Sequence, residues 1–180
     1  MIGREDQLKS LNQNYASSKS NLTILYGRHG TGKTTLIKEF IKDKKSFYYK
    51  AVPADDFEQN GMFGRAAGVE SDSYYEIMKA LRDRGIMLFV VEEFHNIIKT
   101  DSDFMSDVSR LVRDESKVMV ILSCSSVAWV ENSMVKAMGN YAFNINAFMK
   151  LKEFSYSDFI NRFPVSYTHL RAHETRRHLV

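Results

Sequence analysis

Residues Gly27-Arg-His-Gly-Thr-Gly-Lys33-Thr34 fit G-x-x-x-x-G-K-[ST] without a gap, and no other run constrains the fold as strongly. The pattern needs a strand before it and a helix after it. Leu22–Gly27 is a short apolar run ended by glycine, as a buried parallel strand would be. Lys33–Lys42 carries Leu36, Ile37, Phe40 and Ile41 on one helical face. A loop of this kind meets the dense negative charge of a polyphosphate with consecutive backbone N–H groups, which flexible glycines can aim inward. The helix that follows adds the partial positive charge of its N-terminus. Gly27, Arg28, His29, Gly30, Thr31 and Gly32 are therefore expected to line a phosphate site. Lys33 reaches the β- and γ-phosphates, Thr34 takes a coordination position on Mg²⁺, and Thr35 lies by the α-phosphate. The ligands implied are ATP and Mg²⁺.

The rest of the chain alternates apolar strands with helices. Glu5–Tyr15 has Leu8, Leu11 and Tyr15 at helical spacing, and the polar stretch Asn12–Asn21 reads as a loop. Ser46–Val52 is an aromatic strand closed by Pro53. Ala54–Ser71, with Gly61, Gly64 and Gly68, reads as irregular. Ser73–Arg84 is helical, with Gly85 as its stop signal. Ile86–Val91 and Val118–Cys124 are apolar strands, and between them Ser102–Glu115 is an amphipathic helix. A short helix over Trp129–Met138, a last strand over Tyr141–Leu151 and a helix start at Ser157–Phe163 complete the pattern. Uniformly apolar strands alternating with helices predict a three-layer α/β sandwich, a parallel sheet of about five strands with helices on both faces.

The strand Ile86–Val91 delivers Glu92 and Glu93 at its C-terminal end, where open α/β sheets bind ligands. The segment looks like a Walker B strand. Glu92 would hold Mg²⁺, directly or through water, and Glu93 would orient or deprotonate the attacking water. The first acid of such a segment is usually Asp, and Glu is one methylene longer. His95 is either a γ-phosphate contact or a polar residue at a strand end. Ser123, with Ser125 next, is the polar candidate for reading the γ-phosphate at the end of the following strand. Cys124 reads as a small core residue. No Cys or His cluster has metal-ligand spacing, and nothing pairs Ser or Cys with His for nucleophilic catalysis.

Composition fits this picture. The 180 residues are 44% hydrophobic and 26% charged, as in an ordinary soluble domain. The longest apolar run is too short to span a bilayer, no signal peptide is visible, and a single cysteine cannot form an internal disulfide. A cytoplasmic location without membrane attachment is expected. The last sixteen residues, Val165–Val180, hold three Arg, one Glu and three of the five His. Without them the balance is 22 Lys+Arg against 21 Asp+Glu, so charge does not indicate nucleic acid. Val165–Thr175 also resembles the translation of a transposase mosaic-end adapter used in sequencing libraries. The expectation is a core over 1–164, truncated before a lid and C-terminal domains, followed by an artefactual tail over 165–180.

The ordered motifs together resemble the prokaryotic "archaeal ATPase" family, a branch of P-loop ATPases near the AAA+ and STAND groups. The resemblance is carried by Ile2-Gly-Arg-Glu5, Tyr26–Thr34, Phe89–Phe94, Ile121–Ser126 and Leu151–Phe159. It implies an ASCE/AAA+ sheet in which Val118–Cys124 lies between the phosphate-loop strand and the Walker B strand. It also implies that the segment Ile2–Glu5, with Ile2 and Gly3 as site residues, lies near the adenine, and that Ser123 acts as a γ-phosphate sensor. Many members carry an arginine-containing stretch before the Leu151 motif, whereas Gly139–Phe148 has none here. The function implied is Mg²⁺-dependent ATP hydrolysis coupled to an output domain, slow in isolation, with a protein partner or oligomer as its setting. The alternative is a nucleotide-gated switch or scaffold with little hydrolysis. A small-molecule kinase would need clustered lid arginines, which are not seen.

Overall fold

A computed structural model describes residues 3–99 and 103–154. Five strands form one sheet: β1 Asn21–Tyr26, β2 Ser46–Lys50, β3 Leu88–Glu92, β4 Met119–Cys124 and β5 Ala147–Lys150. Their order is β2-β3-β4-β1-β5, and every neighbouring pair is parallel. The helices are α1 Glu5–Ala16, α2 Lys33–Ile41, α3 Asp56–Ala67, α4 Tyr74–Asp83, α5 His95–Ile98, α6 Asp103–Asp114, α7 Val127–Asn132 and α8 Met134–Met138.

Alternation along the strands divides the core in two. Leu25, Leu88, Val90, Met119 and Ile121 face Leu11 of α1 and Leu36, Ile37 and Phe40 of α2. Leu22, Ile24, Phe89, Val91, Val120 and Leu122 face the opposite layer. There Phe63 of α3 sits among Phe47, Tyr49 and Tyr74, with ring centroids 5.0–5.1 Å apart in edge-to-face geometry. Every residue of β3 and β4 is buried, which is why both strands read as unbroken apolar runs. The three-layer sandwich with a five-stranded parallel sheet is the architecture expected, and β4 does lie between β1 and β3.

The structure corrects several boundaries. Ala54–Ser71 is largely the helix α3, not an irregular stretch. Asp55 caps it by accepting a hydrogen bond from the Glu58 N–H at 2.8 Å, and Gly68 ends it in the left-handed conformation (φ 62°). Gly64, which looked like a breaker, lets the chain return closely. A methyl group there would lie 2.7 Å from the Val69 carbonyl oxygen. The loop expected from Asn12 begins only after Ala16. The helix expected over Trp129–Met138 is two short ones, because the chain breaks at Ser133. Of the strand expected over Tyr141–Leu151 only Ala147–Lys150 pairs, and Gly139–Asn144 is a 3-10 turn. The third strand begins two residues later than expected and includes Glu92, which pairs with Lys50 and Ser123. The expectations for Ile2, Ser157–Phe163 and the tail 165–180 lie outside the described residues.

Candidate nucleotide site

The loop from Gly27 to Gly32 joins the C-terminal end of β1 to α2. Gly30 and Gly32 hold φ of 82° and 87°, a left-handed backbone that side chains resist. Gly27 is constrained differently: a methyl group there would collide with the Leu151 carbonyl oxygen, where the chain leaves β5. Thr31 braces the turn by donating from Oγ1 to the Arg28 carbonyl at 2.9 Å. His29 and Gly30 are exposed, and the Arg28 guanidinium reaches Glu153 at 3.3 Å across an exposed surface. Thr34 and Thr35 lie exposed on the first turn of α2.

Lys33 is buried and folds back into the loop. Its Nζ donates to the Gly27 and Arg28 carbonyls at 2.7 and 2.9 Å. Desolvation lowers its pKa, opposed by the nearby Glu93, Cys124 and Glu92. Lys33 thus lies within electrostatic reach of both glutamates, Glu92 and Glu93.

The two glutamates, adjacent in sequence, face different surroundings. Glu92 is the last residue of β3 and is 2% exposed. It shares a face with Ser123 and Leu25, its neighbours in register, on the side of α2. Its Oε2 accepts from the Thr34 hydroxyl at 3.2 Å and from the Tyr48 hydroxyl at 2.7 Å. Burial, then the hydrogen bond to Glu92, raises the Tyr48 pKa, so that hydroxyl remains a donor. Tyr48 is a functional neighbour that sequence reasoning missed, since only the pairing of β2 with β3 brings it there. Glu92 Oε1 and Ser123 Oγ are buried without a hydrogen-bond partner among the described residues. A carboxylate oxygen left open beside the Thr34 hydroxyl suits a hard cation that takes oxygen ligands and keeps several waters. The donor set at Thr34 and Glu92 therefore fits Mg²⁺.

Glu93 leaves the strand with φ 54°, a left-handed conformation uncommon for this residue type. Its Oε2 accepts from the Ser125 N–H at 3.1 Å and the Ser125 hydroxyl at 2.8 Å. Of the two serines considered, Ser125 touches an acidic group and Ser123 stays buried in the sheet. His95 lies 3.4 Å from Glu93 and 3.3 Å from the Cys124 thiol, and its ring meets Trp129 at 5.8 Å. Burial lowers the His95 pKa, with Glu93 opposing and Lys99 reinforcing.

Cys124 does meet His95 in the fold. Cys124 and His95 stand on adjacent elements, and no sequence spacing could signal that. Burial pushes the Cys124 thiol up to about 11, so the pair is no nucleophile.

Arg4, within the segment expected near the adenine, ties that segment to this site through contacts the sequence did not show. Its Nη2 donates to the Thr31 carbonyl at 2.8 Å and the Lys152 carbonyl at 2.6 Å, and its guanidinium lies 4.3 Å from the Phe154 ring centroid. That arrangement sets Gly3 close to the loop, where Phe154 packs against it.

A phosphate-cradling loop between β1 and α2, with paired acids two strands away and one strand inserted between, defines a nucleotide-binding P-loop ATPase module. The chain belongs to the ATPase family associated with various cellular activities (AAA), whose family model matches residues 23–148. It is 23% identical over 172 residues to the uncharacterized protein MJECL04 of Methanocaldococcus jannaschii, covering 91% of this chain and 38% of that protein. Over 44 residues it is 46% identical to the uncharacterized ATP-binding protein MJ0423 of the same organism, covering 24% of this chain and 75% of that one. Among solved structures, the ORC1 protein of Aeropyrum pernix in complex with DNA superposes with a TM-score of 0.67 at 19% identity. That match covers 97% of this chain and 50% of the other. A STAND protein of Pyrococcus horikoshii with a tetratricopeptide repeat sensor gives 0.55 at 15% identity, over 96% of this chain and 27% of that one. The chain thus spans about 38% of the first relative and half or less of these solved structures. Among the described residues no helix is long and apolar enough to cross a membrane.

Proposed function

We propose that this chain is the ATP-binding core of a Mg²⁺-dependent ATPase of the "archaeal ATPase" type, working in the cytoplasm and coupled to an output domain beyond residue 164. The observation that carries the reading is the divergence of Glu92 and Glu93: one faces the Thr34 hydroxyl, the other stands at the strand tip. The likeness to a STAND protein agrees with it. In this reading the N–H groups of residues 27–32 receive the phosphates, and Lys33 exchanges the two carbonyls for phosphate oxygens. Thr34 and Glu92 hold Mg²⁺, which when bound neutralises charge on the phosphates. Glu93 orients the attacking water and takes its proton, once released from Ser125. Ser123 senses the γ-phosphate, and Ile2 and Gly3 flank the adenine. The tail 165–180 is adapter-derived.

Slow turnover in isolation follows from two features. Glu93 is already engaged by Ser125, and residues 139–148 contain no arginine to meet the γ-phosphate. The same engagement favours the second reading, a switch that binds ATP with little hydrolysis. Calorimetry with ATP and Mg²⁺ tests the first layer. Lys33→Ala should abolish binding, and unchanged affinity would refute the loop assignment. Single-turnover hydrolysis separates the two readings: Glu93→Gln should bind ATP and hydrolyse it roughly 10²–10⁴-fold more slowly than the parent. Equal rates would remove Glu93 from its role.

A further inference from the structure

The C-terminal ends of β3 and β4 lie side by side, and donor atoms of three kinds converge there. His95 Nδ1 is 3.3 Å from Cys124 Sγ and 3.4 Å from Glu93 Oε2, and the three residues present ligand atoms all within 4.8 Å of one another. In a tetrahedral site with metal–N and metal–O bonds of about 2.1 Å and metal–S of about 2.3 Å, neighbouring donors stand about 3.4–3.6 Å apart. The two separations at His95 are close to these values, and the Glu93–Cys124 pair, within 4.8 Å, would close by up to about 1.2 Å on binding an ion.

The surroundings favour it further. Cys124 closes the inner side, wholly buried at the end of β4. His95 and Glu93 form the rim, with side chains 13% and 20% exposed, so an ion and a water can enter. The Trp129 ring restrains the imidazole, and Ser125 restrains the carboxylate. A thiol, an imidazole and a carboxylate together select a thiophilic borderline cation over Mg²⁺, which takes oxygen alone.

We propose that Glu93, His95 and Cys124 bind a divalent transition metal, Zn²⁺ foremost, with water as the fourth ligand. The site is distinct from the one at Thr34 and Glu92. Binding is ligand exchange without a redox step. The Cys124 S–H bond breaks, its proton passes to solvent, and a metal–sulfur bond replaces it. His95 coordinates through the Nδ1 lone pair and keeps its proton on Nε2. Occupancy has a consequence that rests on the functional reading above: it withdraws Glu93 from the attacking water. Zn²⁺ then stops hydrolysis while ATP still binds the loop.

Cobalt spectroscopy tests the metal site without reference to turnover. Cys124 is the chain's single cysteine, so a thiolate-to-Co²⁺ charge-transfer band reports on this site alone. The histidines of the segment 165–180 can bind Co²⁺ but cannot produce that band. The full-length chain, titrated with Co²⁺ under a phosphine reductant, should develop the band to saturation at one equivalent, and Zn²⁺ should bleach it. Cys124→Ser should lose it entirely, and His95→Gln should lose most of its intensity at the same Co²⁺ concentration. No band in the parent, or an undiminished band in His95→Gln, overturns the site. Hydrolysis is then followed with one equivalent of Zn²⁺ added. It should stop in the parent and persist in Cys124→Ser. A saturable band with zinc-insensitive hydrolysis would overturn the role of Glu93 and leave the metal site standing.

Discussion

Replacing Tyr48 by Phe removes one oxygen atom and tests how the longer Walker B acid is held. The Tyr48 hydroxyl is the shorter of two donors to Glu92 Oε2, at 2.7 Å against 3.2 Å for Thr34, and Glu92 is 2% exposed. Its other oxygen has no hydrogen-bond partner among the described residues. A hydrogen bond to a charged group contributes about 1.5–3 kcal/mol, and the upper end applies where the carboxylate left behind cannot reach water. For a chain of this size each kcal/mol lowers Tm by about 2–4 °C. Tyr48→Phe should therefore melt about 6–12 °C below the parent, with an unchanged urea m-value and a reduced midpoint. The same substitution frees Glu92 from its anchor, so the Mg²⁺ concentration needed for half-maximal ATP-analogue binding should change. Tyr49→Phe is the control, because the Tyr49 hydroxyl donates to Gln59 and not to Glu92. If Tyr48→Phe matches the parent in both Tm and Mg²⁺ dependence, Tyr48 does not hold Glu92 and the assignment of Glu92 loses its structural support.

Other substitutions probe separate layers. Phe63→Ala empties the centre of the aromatic cluster around α3 and should cost about 3–5 kcal/mol in urea denaturation; a loss below 1 kcal/mol would mean that α3 is not packed as described. Ser125→Ala releases Glu93, so single-turnover hydrolysis should speed up with ATP affinity unchanged; a slower rate would place Ser125 on the phosphate. His95 has a folded pKa below its ordinary 6.5. Protons below that pH therefore bind the unfolded chain in preference, and stability falls as pH drops from neutrality. His95→Gln should flatten that part of the profile, and an unchanged slope would show that His95 is not desolvated.

What was legible in the sequence follows period and local chemistry. β1, β3 and β4 were visible because strands covered on both faces must be apolar throughout. The loop was visible because its glycines and Lys33 serve a single local geometry. α3 was misread because three glycines suggested breakage, although Asp55 and Glu58 already had cap spacing. Gly64 is required by the close approach of Val69, five residues on, where the chain doubles back through the left-handed Gly68. Tyr48, the contacts of Arg4 and the meeting of His95 with Cys124 escaped for another reason. Each arises from register between strands or from the chain start folding over the loop, and so depends on tertiary placement.

The backbone at Glu93 carries the last prediction. Strand alternation sends Glu92 toward α2, and a regular continuation would turn the next side chain into the opposite apolar layer. The chain avoids that by rotating Glu93 to φ 54°, which brings its carboxylate to Ser125 at the sheet edge. A left-handed conformation costs a residue with a Cβ about 1–2 kcal/mol. Strain of this size persists where a site requires it. Comparing Glu93→Ala with Glu93→Gly isolates it, since both variants lose the same bonds to Ser125 and differ only in the Cβ. At an ordinary position Gly is less stable than Ala by about 0.5–1 kcal/mol, through the entropy of the unfolded chain. At Glu93 relief of the left-handed penalty opposes that term and exceeds it, so the order should invert. Glu93→Gly should be the more stable of the two in urea denaturation, by up to about 1.5 kcal/mol. Both should lack hydrolysis alike. If Glu93→Ala is instead the more stable variant, the backbone there is unstrained. The separation of the two acids would then need another cause.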